Sequence, residues 1–165
     1  MQKLTNDEIN KLKEFKIEEQ KLLKKIFPQH KVDLKLDYER WDCLIEEKKY
    51  LIEVKTRDFT YEEFINQNGK YKSRPLIEEE KYFECILKAT ELNYKFLYIY
   101  CFSCGSYIIY NLSDSSFNPI KFYQTQILCP KHSFTDNKEM VMKNCFIIPS
   151  WMLKLGENSH LKKMS

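Results

Sequence analysis

Trp41-Asp42-Cys43-Leu44-Ile45 and Tyr50-Leu51-Ile52-Glu53-Val54-Lys55-Thr56 flank the polar stretch Glu46-Glu47-Lys48-Lys49. Two apolar runs around a short polar turn predict a β-hairpin. A turn centred between Glu47 and Lys48 pairs residues whose numbers sum to 95. Ile45 then faces Tyr50, and Asp42 faces Glu53. Directly opposed residues hold their Cβ atoms roughly 4.5–5.5 Å apart. Side chains alternate between faces, so Lys55 shares the face of Glu53. Asp42, Glu53 and Lys55 therefore converge on one small patch.

Opposed carboxylates repel each other, and Trp41, Leu44, Leu51, Ile52 and Val54 make these strands at least partly buried. A buried acid pair must be neutralised by a proton, a cationic side chain or a metal. Lys55 supplies part of that. A hard divalent cation, Mg²⁺ or Mn²⁺, is the natural remainder, because such ions take oxygen ligands and keep several waters.

Residues 5 to 27 read as one long amphipathic helix upstream of the hairpin. Thr5 or Asn6 caps it, Asp7 and Glu8 suit its positive end, and Pro28 closes it. Leu12, Phe15, Leu22 and Ile26 form an apolar stripe, and Glu19 falls inside that stripe. Glu18 turns about 100° away and is expected in solvent. Glu19 is expected to aim at the sheet.

Asp42, ten further residues and Glu53-Val54-Lys55 resemble the PD-(D/E)XK nuclease superfamily, the restriction-endonuclease-like fold. The resemblance spans about residues 5–112. Trp41 stands where the motif's name has Pro. It implies an α/β domain with an αβββαβ core, a mixed central sheet flanked by helices and extra C-terminal β elements. It also implies a Mg²⁺- or Mn²⁺-dependent nuclease, a hydrolase that cuts phosphodiester bonds and leaves a 5′-phosphate. Asp42 and Glu53 would hold the metal with Glu19 as an additional ligand, and Lys55 would orient or activate the attacking water. Nucleic acid is the implied partner, DNA ahead of RNA. A nuclease that must cut two strands often works as a homodimer.

The remaining sequence is read around this core. Arg57 follows Lys55 on the same face, and Lys70, Tyr71, Lys72 and Arg74 cluster in a polar loop. Such residues can grip phosphates, with Tyr71 stacking on a base. Lys81 is placed where it can also point inward. Pro75 is read as the first turn of a helix to about Asn93. Lys95–Phe102 and Tyr107–Leu112 form a second hairpin around Ser103-Cys104-Gly105-Ser106. Strands are expected at Lys31–Leu36, Phe122–Leu128 and Met140–Ile148, with a short helix at Trp151–Leu155. The domain is read as single over 1–165: a core of about 5–112, an elaboration over 113–155, and a polar, frayed tail from Gly156.

Composition bounds the alternatives. The chain has 165 residues, 43% apolar and 31% charged, as in a folded domain. A net charge of +3 excludes a strongly polybasic binder. Three-quarters of the acidic side chains lie in the first 80 residues, around the candidate metal site. The longest apolar run, Phe96–Phe102, is far short of a membrane span of ~20 residues. Met1–Glu8 lack an apolar signal region, so a cytoplasmic protein with reduced thiols is expected. Lys-, Asn-, Ile- and Tyr-rich usage suits an AT-rich phage or bacterial genome.

Two readings compete with the nuclease. One is a non-catalytic nucleic-acid- or protein-binding module on the same fold, its acids structural. The other is a zinc-stabilised interaction domain, because Cys101-x-x-Cys104 and Cys129-x-x-His132 together resemble a structural zinc site. Cys43, Cys85 and Cys145 sit in apolar runs and are read as core.

Overall fold

A computed structural model of the chain describes residues 5–34, 41–66, 75–119, 124–130, 139–149, 152 and 159–163. It is a mixed α/β fold with two sheets. Helix α1, Asn6–Ile26, opens with a capping box. The Glu8 N–H donates to Thr5 Oγ1 (3.3 Å) and the Thr5 N–H to Glu8 Oε2 (2.8 Å). Two of the helix's orphan donors are thus satisfied.

Strands β1 (Asp33–Leu34), β2 (Cys43–Ile45) and β3 (Tyr50–Thr56) form an antiparallel meander. The hairpin pairs Cys43 with Ile52, Leu44 with Leu51 and Ile45 with Tyr50, each summing to 95 as expected. A 3₁₀ turn over Glu46–Lys48 joins its arms, and Lys49 closes it in the left-handed region at φ 54°.

The chain then passes through α2 (Tyr61–Asn66), β4 (Leu76–Glu78) and α3 (Glu79–Leu92). It returns as β5 (Lys95–Cys101), parallel to β3, with Glu53 beside Tyr98 and Lys55 beside Tyr100. A parallel neighbour needs such a crossover. β6 (Ser106–Asn111) folds back antiparallel on β5 through Gly105, whose φ of 79° suits glycine. The larger sheet runs β1-β2-β3-β5-β6-β9, where β9 is Ser159–Lys163. The smaller sheet runs β4-β8-β7, with β7 at Gln124–Pro130 and β8 at Met140–Ile147.

The larger sheet buries both faces. Cys43, Ile45, Ile52, Val54, Leu97, Ile99 and Cys101 pack with Leu23 of α1. Leu51, Phe96, Tyr98, Tyr100, Ile108 and Tyr110 pack with Phe64 of α2, Tyr82, Cys85 and Ala89 of α3, and Phe146 of β8. Tyr82 stands at the junction of the two sheets, 5.3 Å from the Phe146 ring and 6.4 Å from that of Phe96. Such edge-on and tilted pairs add to area burial. Among the described residues no helix is long and apolar enough to cross a membrane.

Four expectations are corrected. Pro75 begins no helix: Leu76–Glu78 is a strand paired with β8, Ile77 is buried, and α3 starts at Glu79. Proline is tolerated at a strand start as at a helix start, and the partner strand lies some 70 residues away in sequence. The strand expected to end at Leu128 runs on to Pro130. The tail is not uniformly frayed, because Ser159–Lys163 adds to the edge of β6. Polar residues suit such an edge, where backbone bonds alone make the ladder. Phe15 is not core: it is 53% exposed, and the α1 residue fully buried is Leu23. The helix docks along Lys16, Glu19 and Leu23, one row over from Phe15. Residues 35–36, 122–123, 151 and 153–155 of the expected elements lie outside the described residues.

Candidate functional site

Asp42 and Glu53 are 6% and 4% exposed, and Ser106 is the other polar residue in the buried set. The hairpin's paired ladder ends at Cys43–Ile52, one step before them. There the Asp42 N–H donates to the Ile52 carbonyl (2.9 Å), and the Val54 N–H donates to Asp42 Oδ2 (2.7 Å). The Asp42 carboxylate thus serves as the acceptor for β3 where β2 leaves it. This bond fixes one oxygen of Asp42 and keeps the carboxylate beside Glu53.

Helix α1 supplies Glu19 and Lys16, which are three residues apart and so share a face. Lys16 Nζ is 2.8 Å from Asp42 Oδ1 and 3.2 Å from Glu19 Oε2. Burial works against the Lys16 charge, yet Asp42 and Glu19 outweigh it and hold its pKa above the ordinary value. Burial and then Asp42 push the Glu19 carboxyl up, against the pull of Lys16. From the other side Lys81, in the first turn of α3, donates to Glu53 Oε1. Burial and the Asp42 charge push Glu53 up to about 8, despite Lys81. Lys81 in turn is held well above its usual range: burial opposes its charge, but Glu53 and then Asp42 outweigh it.

Lys55 is pushed down, first by burial and then by Arg57, with Lys81 adding and Glu53 and Glu78 opposing. Arg57 is itself held by Tyr100: its Nε donates to the phenol oxygen (2.7 Å), and its guanidinium lies 4.9 Å from the ring centroid. Glu78, at the start of α3, pairs with Lys143 of β8 (2.8 Å).

Asp42, Glu53, Glu19 and Lys55 are thus neighbours, and Arg57 stands beside Lys55. Lys70, Tyr71, Lys72 and Arg74 lie outside the described residues. The sequence reading missed Lys16 and Glu78. Lys16 carried no signal beyond standing three residues before Glu19, and its role needed the contact with Asp42. Glu78 needed the β4–β8 pairing.

Three carboxylates offer only oxygen donors, the set a hard divalent cation takes. Glu53 Oε2 is buried without a hydrogen-bond partner, and Glu19 Oε2 is buried with the ion pair to Lys16 but no formed hydrogen bond. These are open lone pairs in a place where desolvation is already paid. Among the described residues no group of three His, Cys, Asp or Glu side chains is arranged to hold a metal ion. Mg²⁺ commonly needs only one or two carboxylates, completed by water and phosphate. The donor chemistry of the carboxylates suits such an ion, which would have to displace Lys16 from Asp42 and Lys81 from Glu53.

The three described members of the zinc constellation lie in different surroundings. Cys101 lies in the apolar layer under α1, with burial pushing its thiol up to about 12. Cys104 is exposed in the β5–β6 turn, where Ser106 and the Tyr61 N–H lower its pKa. Cys129 belongs to β7 of the other sheet, and His132 lies outside the described residues. The chain matches no protein-family model, no curated protein and no solved structure.

Proposed function

We propose that the chain is a metal-dependent nuclease that hydrolyses phosphodiester bonds, in DNA ahead of RNA. The observation that carries this is the buried Asp42–Glu53 pair on adjacent strands, flanked by Glu19 from α1 and Lys55 two residues on. Stability alone gives little reason to bury two acids beside each other with a third, half-buried one against them. The order α1, three antiparallel strands, α3 and a strand parallel to β3, with α2 and β4 inserted before α3, is compatible with the αβββαβ core of the PD-(D/E)XK superfamily.

In this reading Asp42 and Glu53 hold the cation and Glu19 assists. A bound divalent ion would polarise the scissile phosphate and lower the pKa of a water. The protein's own part is positional and electrostatic. The Val54 N–H fixes one oxygen of Asp42, and the other, held by Lys16, is the one that would bind an ion. Lys55, its charge weakened by burial and Arg57, stands beside Glu53 to orient water or steady charge on the phosphoryl oxygens. Lys16 and Lys81, once released by the acids, are placed on opposite sides of the site to receive the phosphate. The surrounding apolar layers keep the dielectric low, which strengthens each of these interactions.

One observation favours the binding-module reading: Asp42 and Glu53 each already hold a lysine. Cleavage assays on single-stranded, duplex and branched DNA and on RNA separate the two, run with Mg²⁺, Mn²⁺ or EDTA. The nuclease reading expects metal-dependent cleavage that is lost in Glu53→Ala and Lys55→Ala. Cleavage surviving both variants removes these residues from the chemistry. Nucleic-acid binding without cleavage, and no Mn²⁺ uptake by calorimetry, leaves the binding module.

A further inference from the structure

A cleft of about 500 Å³ runs along α1 beside the acid cluster. Phe15, Glu19, Leu22, Lys24, Lys25 and Thr56 line it. Glu19 lines the cleft and also pairs with Lys16 beside Asp42, which ties the cleft to the acid cluster, while Thr56 bounds it from the α1 side of the sheet. Its floor is helix, and its charges are ordered along the axis. Glu19 lies in the middle. Phe15 is one turn towards the N-terminus, about 6 Å away at 1.5 Å per residue. Lys24 and Lys25 are five and six residues the other way, about 7.5–9 Å from Glu19.

Phe15 is the one aromatic ring among the large apolar side chains left exposed in the described residues. It sits mid-helix, half its surface in water, in a cleft whose other apolar member is the half-buried Leu22. A ring beside a line of ammonium groups is the arrangement that binds single-stranded nucleic acid: the bases stack on the aromatic face, and the phosphates follow the cations. Lys21 is engaged with Glu18 (2.7 Å) on the cleft's rim, which leaves Lys24 and Lys25 as its forward cations.

We propose that this cleft binds a single strand of nucleic acid, one base stacked on Phe15, its reacting phosphate by Glu19 and Asp42, and the next phosphate on Lys24 and Lys25. The proposal rests on the nuclease reading for the reacting phosphate and adds a substrate class: single strands, or duplex ends that fray into one. The spacing suits it, since the stacking ring and the cations lie on either side of the acids. A cleft of this size takes a strand and not a duplex.

The test is fluorescence anisotropy with labelled oligo(dT), oligo(U) and a blunt hairpin duplex, in EDTA so that nothing is cut. Wild type, Phe15→Ala, Lys24→Glu/Lys25→Glu and Glu53→Gln are compared. The altered α1 side chains are exposed, and circular dichroism verifies the fold. Phe15→Ala is expected to weaken single-strand binding about tenfold. The double charge reversal should weaken it more, and lower the slope of log K against log salt by about 1.4 for two lost phosphates. Glu53→Gln should bind at least as well as wild type. Loss confined to oligo(dT) or to oligo(U) names the strand. Wild-type affinity in both α1 variants overturns the cleft, as does equal loss on the blunt duplex or no single-strand binding by wild type. None of these outcomes touches the metal site, which Mn²⁺ calorimetry on Glu53→Gln reports separately.

Discussion

Lys81 Nζ is hydrogen-bonded to Glu53 Oε1, joining the first turn of α3 to the middle of β3 across the buried face of the larger sheet. The lysine is the counter-charge to an acid that has little access to water. Removing one member of a buried pair strands the other, at a cost of about 3–5 kcal/mol when the stranded group must stay charged. Lys81→Met should therefore destabilise by about 3 kcal/mol at pH 8.5. At pH 6, where Glu53 can take up a proton, the loss should fall below about 1 kcal/mol. Urea titrations at the two pH values measure this. The same variant should bind Mn²⁺ more tightly than wild type, because the metal no longer competes with an ammonium.

Glu53 has a further consequence for pH. Its folded pKa is raised from 4.5 to about 8. A raised acid binds its proton more tightly in the folded state than in the unfolded one. Its contribution to stability is complete below 4.5 and is lost as the pH rises through about 8. The metal-free protein should thus lose stability between pH 5 and 9, and Glu53→Gln should flatten that fall. A cation that binds the carboxylate expels the proton, so Mn²⁺ should raise the melting temperature more at pH 8.5 than at pH 6. Equal shifts at both pH values would place the metal away from Glu53.

Asp42 combines two duties that substitution can separate. Its Oδ2 accepts the Val54 N–H, and its Oδ1 accepts from Lys16. Asp42→Ala leaves the Val54 N–H buried without an acceptor, which costs about 1–3 kcal/mol before the Lys16 loss is added. Asp42→Asn keeps an acceptor of the same shape and should cost about half as much. Under the nuclease reading both remove a charge that a metal would need, so both should abolish cleavage. Activity in Asp42→Asn near that of wild type would make the residue a strand terminator and nothing more.

Most of the hairpin was legible because local rules decide it. The polar turn, the flanking apolar runs and the two-residue alternation settle the register, and the register places Asp42 by Glu53 and turns Lys55 the same way. Glu19 was legible as an acid interrupting an apolar stripe. What was not legible depends on distant partners. Leu76–Glu78 is a strand because β8 passes beside it, and Ser159–Lys163 is one because β6 presents an open edge. Lys16 looks like any surface lysine until Asp42 is brought under α1. Phe15 fitted the apolar stripe by spacing alone, and only the docking angle of the helix shows that Leu23 takes the buried position.

Arg57 and Lys55 give the last test. The two cations stand side by side on the α3 face, and after burial Arg57 is the largest influence depressing the Lys55 pKa. Tyr100 keeps Arg57 there through its phenol oxygen and its ring. Arg57→Met should raise the Lys55 pKa, visible as an upward shift in an NMR titration of labelled lysine side chains. Under the nuclease reading, the limb of the pH–rate profile that reports Lys55 should move the same way. Tyr100→Phe removes the hydrogen bond at about 1 kcal/mol and leaves the guanidinium charge in place, so it should move that limb much less. A limb that shifts in Arg57→Met and barely in Tyr100→Phe ties the effect to charge. A limb that stays fixed while the titrated Lys55 moves means that the rate does not depend on the protonation of Lys55, and leaves it the part of a positioning residue.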